Sequence, residues 1–173
     1  MKTKSKNAQP PKAAPFPKGD KKKTVVAVSG GFDPLHIGHV RLLNEAKKLG
    51  DKLVVILNND NWLDKKKGFA FMLESDRKEI LESLSAVDEV ILTSHVKDDA
   101  DRSVCRELLK LRPDIFANGG DRTPIDAKKT TSSLNPEVDL CEKLGIATLF
   151  NVGKGGKVRS STELVTKFQK HAK

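Results

Sequence analysis

A single α/β domain built on a five-stranded parallel sheet is the fold this sequence predicts. Three observations predict it. Short continuous apolar runs recur along the chain, the mark of strands buried on both faces rather than on one. Segments of helical periodicity separate them, which is the order of βαβ units. Two runs lead into glycine pairs, Gly30-Gly31 and Gly119-Gly120, where the chain must turn sharply at a strand end.

The first run is Val25-Val26-Ala27-Val28. Ile37, Val40, Leu43, Ala46 and Leu49 follow at helical spacing, with Arg41, Glu45, Lys47 and Lys48 between them. The spacing predicts an amphipathic helix that Gly50 terminates. Leu53-Val54-Val55-Ile56-Leu57 is the second strand. A helix over 75–84 leads to a third strand at Val90-Ile91-Leu92, and a helix over 102–111 stops before Pro113. Ile115-Phe116-Ala117 is the fourth strand. Asn135-Pro136 opens another helix, with asparagine as N-cap and proline in the first turn. The fifth strand spans 147–150, and a last helix begins at Ser160 and carries Leu164, Val165 and Phe168. Right-handed crossovers turn this order into a doubly wound, Rossmann-like sheet. Ligands of such sheets bind beyond the carboxyl ends of the strands, which singles out 29–39, 118–122 and the turn before Ser160.

The 173 residues carry a net charge of +9, spread unevenly. Residues 1–23 hold eight lysines and one aspartate, a net of +7, so the remaining 150 residues carry only +2. The same stretch holds four of the eight prolines, and Phe16 is its one large aromatic or branched apolar residue. It cannot bury enough surface to offset its ordering entropy, so a disordered tail is expected ahead of a domain over 24–173. The tail allows weak electrostatic contact with nucleic acid, which the near-neutral domain does not otherwise invite. No apolar run approaches the roughly 18 residues of a membrane span, and the N-terminus has no secretory apolar core. Cys105 and Cys141 fit neither a disulfide framework nor a zinc spacing. Together these features predict a cytoplasmic protein with no membrane partner.

The first loop reads Gly30-Gly31-Phe32-Asp33-Pro34-Leu35-His36-Ile37-Gly38-His39. It matches neither GxGxxG nor GxxxxGK[ST]. Two histidines three residues apart at a helix start share one face, and Gly38 between them leaves room for a ligand to approach the backbone. The helix N-terminus adds free N–H groups and a partial positive charge. Such a place suits an anion whose charge grows during reaction. A metal site is the weaker reading, since Asp33 alone accompanies the histidines at ligand spacing. Three further segments stand out: Lys65-Lys66-Lys67-Gly68, Asn118-Gly119-Gly120-Asp121-Arg122, and Arg159-Ser160-Ser161-Thr162. By themselves a lysine run is a solvated loop, Gly-Gly is a common turn, and Ser160 with Glu163 makes an S-x-x-E capping box. At strand ends, however, glycines permit close backbone approach, Asp121 can accept from a ribose hydroxyl or base amine, and a Ser/Thr-rich helix start can hold phosphates.

The His-x-Gly-His motif after a buried strand and a Gly-Gly turn resembles the signature of the cytidylyltransferase-like nucleotidyltransferase superfamily. Glycerol-3-phosphate cytidylyltransferase and the heptose-phosphate adenylyltransferases are members. The resemblance covers roughly 25–165 and implies a role for each segment. His36 and His39 would contact the triphosphate and stabilise the transition state. Gly30, Gly31 and Phe32, with Gly119, Gly120 and Asp121, would bind the nucleotide, and Arg159, Ser160, Ser161 and Thr162 would hold its phosphates. A lysine of the 65–67 run would contact the reacting phosphates. Lys67, beside Gly68, is the expected one, with Lys66 and Arg122 near the acceptor. Arg77 in Asp76-Arg77-Lys78 resembles a family arginine on the substrate, and a surface helix arginine is the alternative. The stretch 113–121 is similar to the heptose-phosphate branch. Two stretches depart from the pattern. Gly153-Lys154-Gly155-Gly156-Lys157-Val158 replaces the RTEGIS stretch of the glycerol-phosphate enzymes, leaving Lys154, Lys157 or Arg159 to take an arginine's role. The polar stretch 123–136 exceeds the family minimum, as a lid or as a plain insertion. Members are often dimeric, so the resemblance also implies a homodimer.

The reaction expected is transfer of CMP or AMP from CTP or ATP to a phosphorylated sugar or polyol, with release of pyrophosphate. No Ser-His-Asp or Cys-His arrangement offers a covalent route. An acceptor phosphate with a second pKa of about 6 is mostly a dianion at neutral pH and can attack the α-phosphate directly. The protein then positions two polyanions and neutralises charge. Mg²⁺ is expected on the triphosphate, held by phosphates and water rather than by a protein cage. The rival readings are an FAD-synthetase-like adenylyltransferase and a catalytically silent nucleotide- or RNA-binding module. A tRNA synthetase shares a His-Ile-Gly-His signature but needs a longer chain.

Overall fold

The computed structural model describes residues 22–120, 135–153 and 159–171. Along them run β1 (Val25–Gly30), α1 (Ile37–Lys47), β2 (Lys52–Leu57), α2 (Asp60–Lys67), α3 (Glu74–Glu82) and β3 (Glu89–Leu92). Then come α4 (Cys105–Leu111), β4 (Ile115–Gly119), α5 (Asn135–Leu144), β5 (Ala147–Val152) and α6 (Ser161–His171). The strands form one parallel sheet in the order β3-β2-β1-β4-β5. The chain therefore starts in the middle, winds outward through β2 and β3, and returns to the other side of β1. This is the doubly wound Rossmann-like topology the sequence predicts, with its switch point between β1 and β4.

The continuous apolar runs have a direct cause: alternate residues of each strand serve different cores. Val26, Val28, Leu53, Val55 and Leu57 pack with Leu43 and Ala46 of α1 and Leu81 of α3. Ala27, Ile56 and Phe116 pack on the other side with Leu108 of α4 and Cys141 of α5. Each fully buried side chain of this kind stabilises the fold by about 1.5–3 kcal/mol, an upper estimate for a compact unfolded chain. Among the described residues no helix is long and apolar enough to cross a membrane.

Three local expectations need correction. The lysine run was expected in a loop, but it forms the last turn of α2, a helix the apolar pattern does not announce because Leu63 is its one buried residue. Asn59 caps that helix, its Oδ1 accepting from Trp62 N–H at 3.0 Å, and lysines at the carboxyl end suit the helix dipole. α4 begins three residues later than expected, at Cys105 rather than 102. There the Asp101 carboxylate takes the Ser103 N–H at 2.8 Å and holds the chain in a turn. Finally, α1 ends at Lys47 with Lys48 as C-cap, so Gly50 is not the cap.

Gly50 is needed for closeness instead. A Cβ there would lie 2.7 Å from the Thr24 carbonyl oxygen and 2.7 Å from Val26 Cγ2. Gly50→Ala is therefore expected to cost about 1–3 kcal/mol through overpacking. Urea unfolding checks this, and a change within about 0.5 kcal/mol, the usual range for open surface positions, would remove the close-approach argument.

Candidate active site

The loop after β1 is held from two sides. Asp33 is buried, and its carboxylate accepts from Phe71 N–H at 2.9 Å and Met72 N–H at 2.8 Å. Its carbonyl accepts from Lys67 Nζ at 2.8 Å. These bonds join the first loop to the end of α2 and to the segment before α3. Arg77 braces the same junction from within. It donates to the carbonyls of Gly31 (2.7 Å), Asn58 (2.7 Å) and Met72 (2.9 Å), and to the Asp60 carboxylate.

His36 is the N-cap of α1. Its Nδ1 accepts from Gly38 N–H at 3.1 Å, while His39 Nδ1 accepts from His36 N–H at 3.3 Å. The two histidines thus form a capping box, in place of the usual Ser and Glu. One consequence is the tautomer. A ring nitrogen that accepts carries no hydrogen, so each neutral imidazole bears its N–H on Nε2. A second is ring geometry. The rings stack with centroids 3.7 Å apart and planes 15° apart, and Phe32 meets His39 edge-on at 4.9 Å. A Cβ at position 38 would sit 3.0 Å from His36 Nδ1, so glycine alone fits there without displacing the ring. The third is charge. Burial, then His36, then Lys67 push His39 down to about 3. Burial also lowers His36, with Arg159 adding to the lowering against a backbone hydrogen bond that raises it. At neutral pH the pair offers N–H donors without a charge to desolvate.

A cavity of about 600 Å³ opens over these residues at the carboxyl ends of the strands. The structure brings the expected segments together there. Gly30, Gly31, Phe32, His36 and His39 form one wall, with Gly119 and Gly120 from the end of β4. Lys66 and Lys67 come from α2, and Arg159, Ser160, Ser161 and Thr162 from the start of α6. Ser161 Oγ donates to the Pro34 carbonyl at 3.1 Å, fixing that helix start against the first loop. Ser160 is placed as its cap, taking the Leu164 N–H on its carbonyl. Burial lowers the Lys67 ammonium from its ordinary value, against Asp33, with Arg77 adding to the lowering. Lys66 stands 4.4 Å over the Trp62 ring.

Arg77 is the correction. Expected on the substrate, or else as a surface arginine, it is neither. Its side chain is fully buried, and it donates to three backbone carbonyls that the surrounding turns leave unpaired and to the Asp60 carboxylate. It is a positioning residue. Asp121 and Arg122 lie outside the described residues, as do 123–134, Lys154 and Lys157.

The sequence reading missed Asn58, Trp62, Arg102 and Glu137, which also line the cavity. Asn58 directly follows β2, so the strand-end rule applied there would have found it. Trp62, whose Nε1 donates to the Arg102 carbonyl at 2.8 Å, hid inside an unforeseen helix. Arg102 and Glu137 arrive through tertiary packing and carry no local signal. The described residues of the cavity do not form a Mg²⁺ cage. Among the described residues no three His, Cys, Asp or Glu stand together as ligands, and both Asp33 carboxylate oxygens already take backbone N–H groups.

A doubly wound parallel sheet with this cavity beyond its strand ends defines an α/β protein with a ligand site at the switch point. Residues 27–164 match the family model described as cytidylyltransferase-like, and the chain belongs to that family of nucleotidyltransferases. It is 40% identical over 125 residues to the bifunctional protein HldE of Syntrophotalea carbinolica, a match covering 69% of this chain and 24% of that protein. It is 34% identical over 125 residues to the FAD synthase of Pyrococcus horikoshii, covering 69% of this chain and 81% of the synthase. Among solved structures, the lipopolysaccharide core biosynthesis protein from Thermoplasma volcanium is 29% identical at a TM-score of 0.55, over 75% of this chain and 94% of that one. Thermotoga maritima TmcAL, bound with alpha-thio ATP, shares the fold at a TM-score of 0.64 and 14% identity, over 86% of this chain and 51% of its own.

Proposed function

We propose that this protein transfers CMP or AMP from CTP or ATP to a phosphorylated sugar or polyol and releases pyrophosphate. The observation that carries the reading is the reciprocally capped pair His36 and His39 facing the start of α6 across one cavity. An acceptor phosphate oxygen attacks the α-phosphorus. The new P–O bond forms as the bond to the bridging oxygen breaks, and pyrophosphate departs in line. The Nε2–H donors of His36 and His39 stabilise the charge that builds on the phosphates. Lys67 neutralises charge between the reactants, and the N-terminus of α6 with Arg159, Ser160, Ser161 and Thr162 holds the leaving end. Mg²⁺, when bound, would supply counter-charge to the triphosphate. The free thiols Cys105 and Cys141 fit a reducing compartment, the cytoplasm.

The pH dependence follows from the neutral histidines. With His39 neutral down to about 3, its titration does not limit activity near pH 6. The acid limb of kcat/KM is expected at about 6, the second ionisation of the acceptor phosphate. It should move upward with a phosphonate acceptor of higher pKa. A limb that stays fixed when the acceptor changes would return the titration to the enzyme. The lowered histidine also has a stability sign. Its folded pKa lies below the unfolded 6.5, so the unfolded chain takes the proton first and stability falls as pH drops from 6.5 toward 3.

The deciding measurement is pyrophosphate release, crossing CTP, ATP, GTP and UTP against glycerol 3-phosphate, heptose 1-phosphate, choline phosphate, phosphopantetheine and FMN. Release with a sugar or polyol phosphate supports the reading. Release with FMN and ATP alone selects the second reading, an FAD-synthase-like adenylyltransferase, which the likeness to the Pyrococcus horikoshii enzyme favours. Failure of any nucleotide to bind rejects both.

A further inference from the structure

The sheet's second face changes character at its carboxyl edge. Along that face Ala27, Ile56 and Phe116 pack into the apolar core with Leu108 and Cys141. Two residues further on, the same side of the same three strands presents Ser29, Asn58 and Asn118. The three strands are neighbours, β2-β1-β4, and Asn58 N–H extends the ladder by donating to the Gly30 carbonyl at 2.9 Å. All three polar residues line the cavity, on the face opposite the core that α1 covers.

Two of them are left incomplete. Asn58 is 4% and Asn118 7% exposed, and each carries a buried amide atom without a partner: the acceptor Oδ1 of Asn58 and the donor Nδ2 of Asn118. Buried polar atoms in native proteins are nearly always paired, and those that are not call for an explanation. The acceptor at the end of β2 and the donor on β4, separated by β1, are each completed by a group that both gives and takes a hydrogen bond, as a hydroxyl does. Glu137 stands on the same wall, its Oε1 accepting from Val104 N–H at 3.3 Å. A carboxylate there opposes a second anion, so the ligand body at this end is neutral. The cations Lys66 and Lys67 reach the cavity from α2 and suit the phosphate.

We infer that Ser29, Asn58 and Asn118 form a subsite that reads the hydroxyl groups of the acceptor, a neutral hydroxylated carbon skeleton bearing one phosphate. The inference rests on the transferase reading for the presence of a phosphorylated acceptor. It adds which residues select that acceptor and by what chemistry. A simple sugar or polyol phosphate and the ribityl phosphate of FMN both carry the feature recognised.

Trp62 is the only tryptophan and lines the cavity, so its emission reports occupancy without turnover. The full chain is titrated with glycerol 3-phosphate, glucose 1-phosphate and propyl phosphate, and FMN is followed by its own emission. At least one hydroxylated ligand is expected to bind about tenfold or more tightly than propyl phosphate, because the unhydroxylated chain leaves buried amide atoms unpaired. Asn58→Leu and Asn118→Leu should each erase about tenfold of that preference while ATP and CTP affinity stays within about twofold, which also shows that the variants fold. Which of glycerol 3-phosphate, glucose 1-phosphate or FMN shows the effect identifies the skeleton. Equal binding of propyl phosphate and every hydroxylated ligand to the unaltered protein would overturn the inference. So would leucine variants that weaken nucleotide as much as acceptor, since the patch would then read the nucleotide. Hydroxyl discrimination without pyrophosphate release for any pair would reject the transferase reading and leave the subsite standing.

Discussion

Replacing His39 with alanine is expected to lower turnover by roughly 10²–10³-fold, the usual loss for one transition-state donor, and His36→Ala should do the same. Each ring holds two jobs at once. Its Nδ1 caps α1, and in the proposed reaction its Nε2 would donate to charge that develops during transfer. Alanine removes both, so a second substitution is needed to separate them. His39→Asn can keep an oxygen near the former Nδ1 and accept from His36 N–H, but it places no donor where Nε2 stood. The expected pattern is a near-normal melting temperature with turnover as low as in the alanine variant. Recovery of turnover with asparagine would mean that the histidine serves the helix and not the chemistry. A loss of roughly tenfold or less for both alanine variants, well below the range above, would remove the assigned role.

Arg77→Leu should be the most destabilising single change, at about 3–5 kcal/mol by denaturant unfolding, as for other buried ion pairs that lose one partner. The side chain is fully buried and satisfies three carbonyls and one carboxylate from three separate segments. Removing it leaves Gly31, Asn58 and Met72 with unpaired carbonyl oxygens in the interior. Asp60 is less affected because its side chain is 29% exposed and also accepts from Glu74 N–H. Arg77→Lys should not restore the fold, because one ammonium cannot span acceptors arranged around a planar fork. A loss below about 1 kcal/mol, no more than an ordinary substitution, would show that the turns find other donors and that the bracing role is wrong.

What could be read from the residues follows how local each signal is. β1 and β2 announce themselves because both faces are buried, which makes 25–28 and 53–57 continuous apolar runs. The His36-Ile37-Gly38-His39 segment is legible because its chemistry and its helix cap are one contiguous stretch. α2 was illegible because a single residue, Leu63, anchors it, and one residue has no period. Arg77 was misplaced because charge normally marks the surface. Only the count of unpaired carbonyls around it, a tertiary quantity, shows why it lies inside. Asn58 and Asn118 look like ordinary polar residues after a strand, and their meaning depends on neighbours that come together across β1.

The bond from Ser161 to the Pro34 carbonyl links positions 127 apart in the chain. During synthesis, β1 and the histidines at the start of α1 leave the ribosome before β2 to β5, and α6 follows after these five strands have emerged. The sheet can therefore gather its cores while the cavity wall formed by the start of α6 is still missing. The cavity is completed by α6 rather than growing with the fold, so a nascent chain lacks that part of the wall until α6 has emerged.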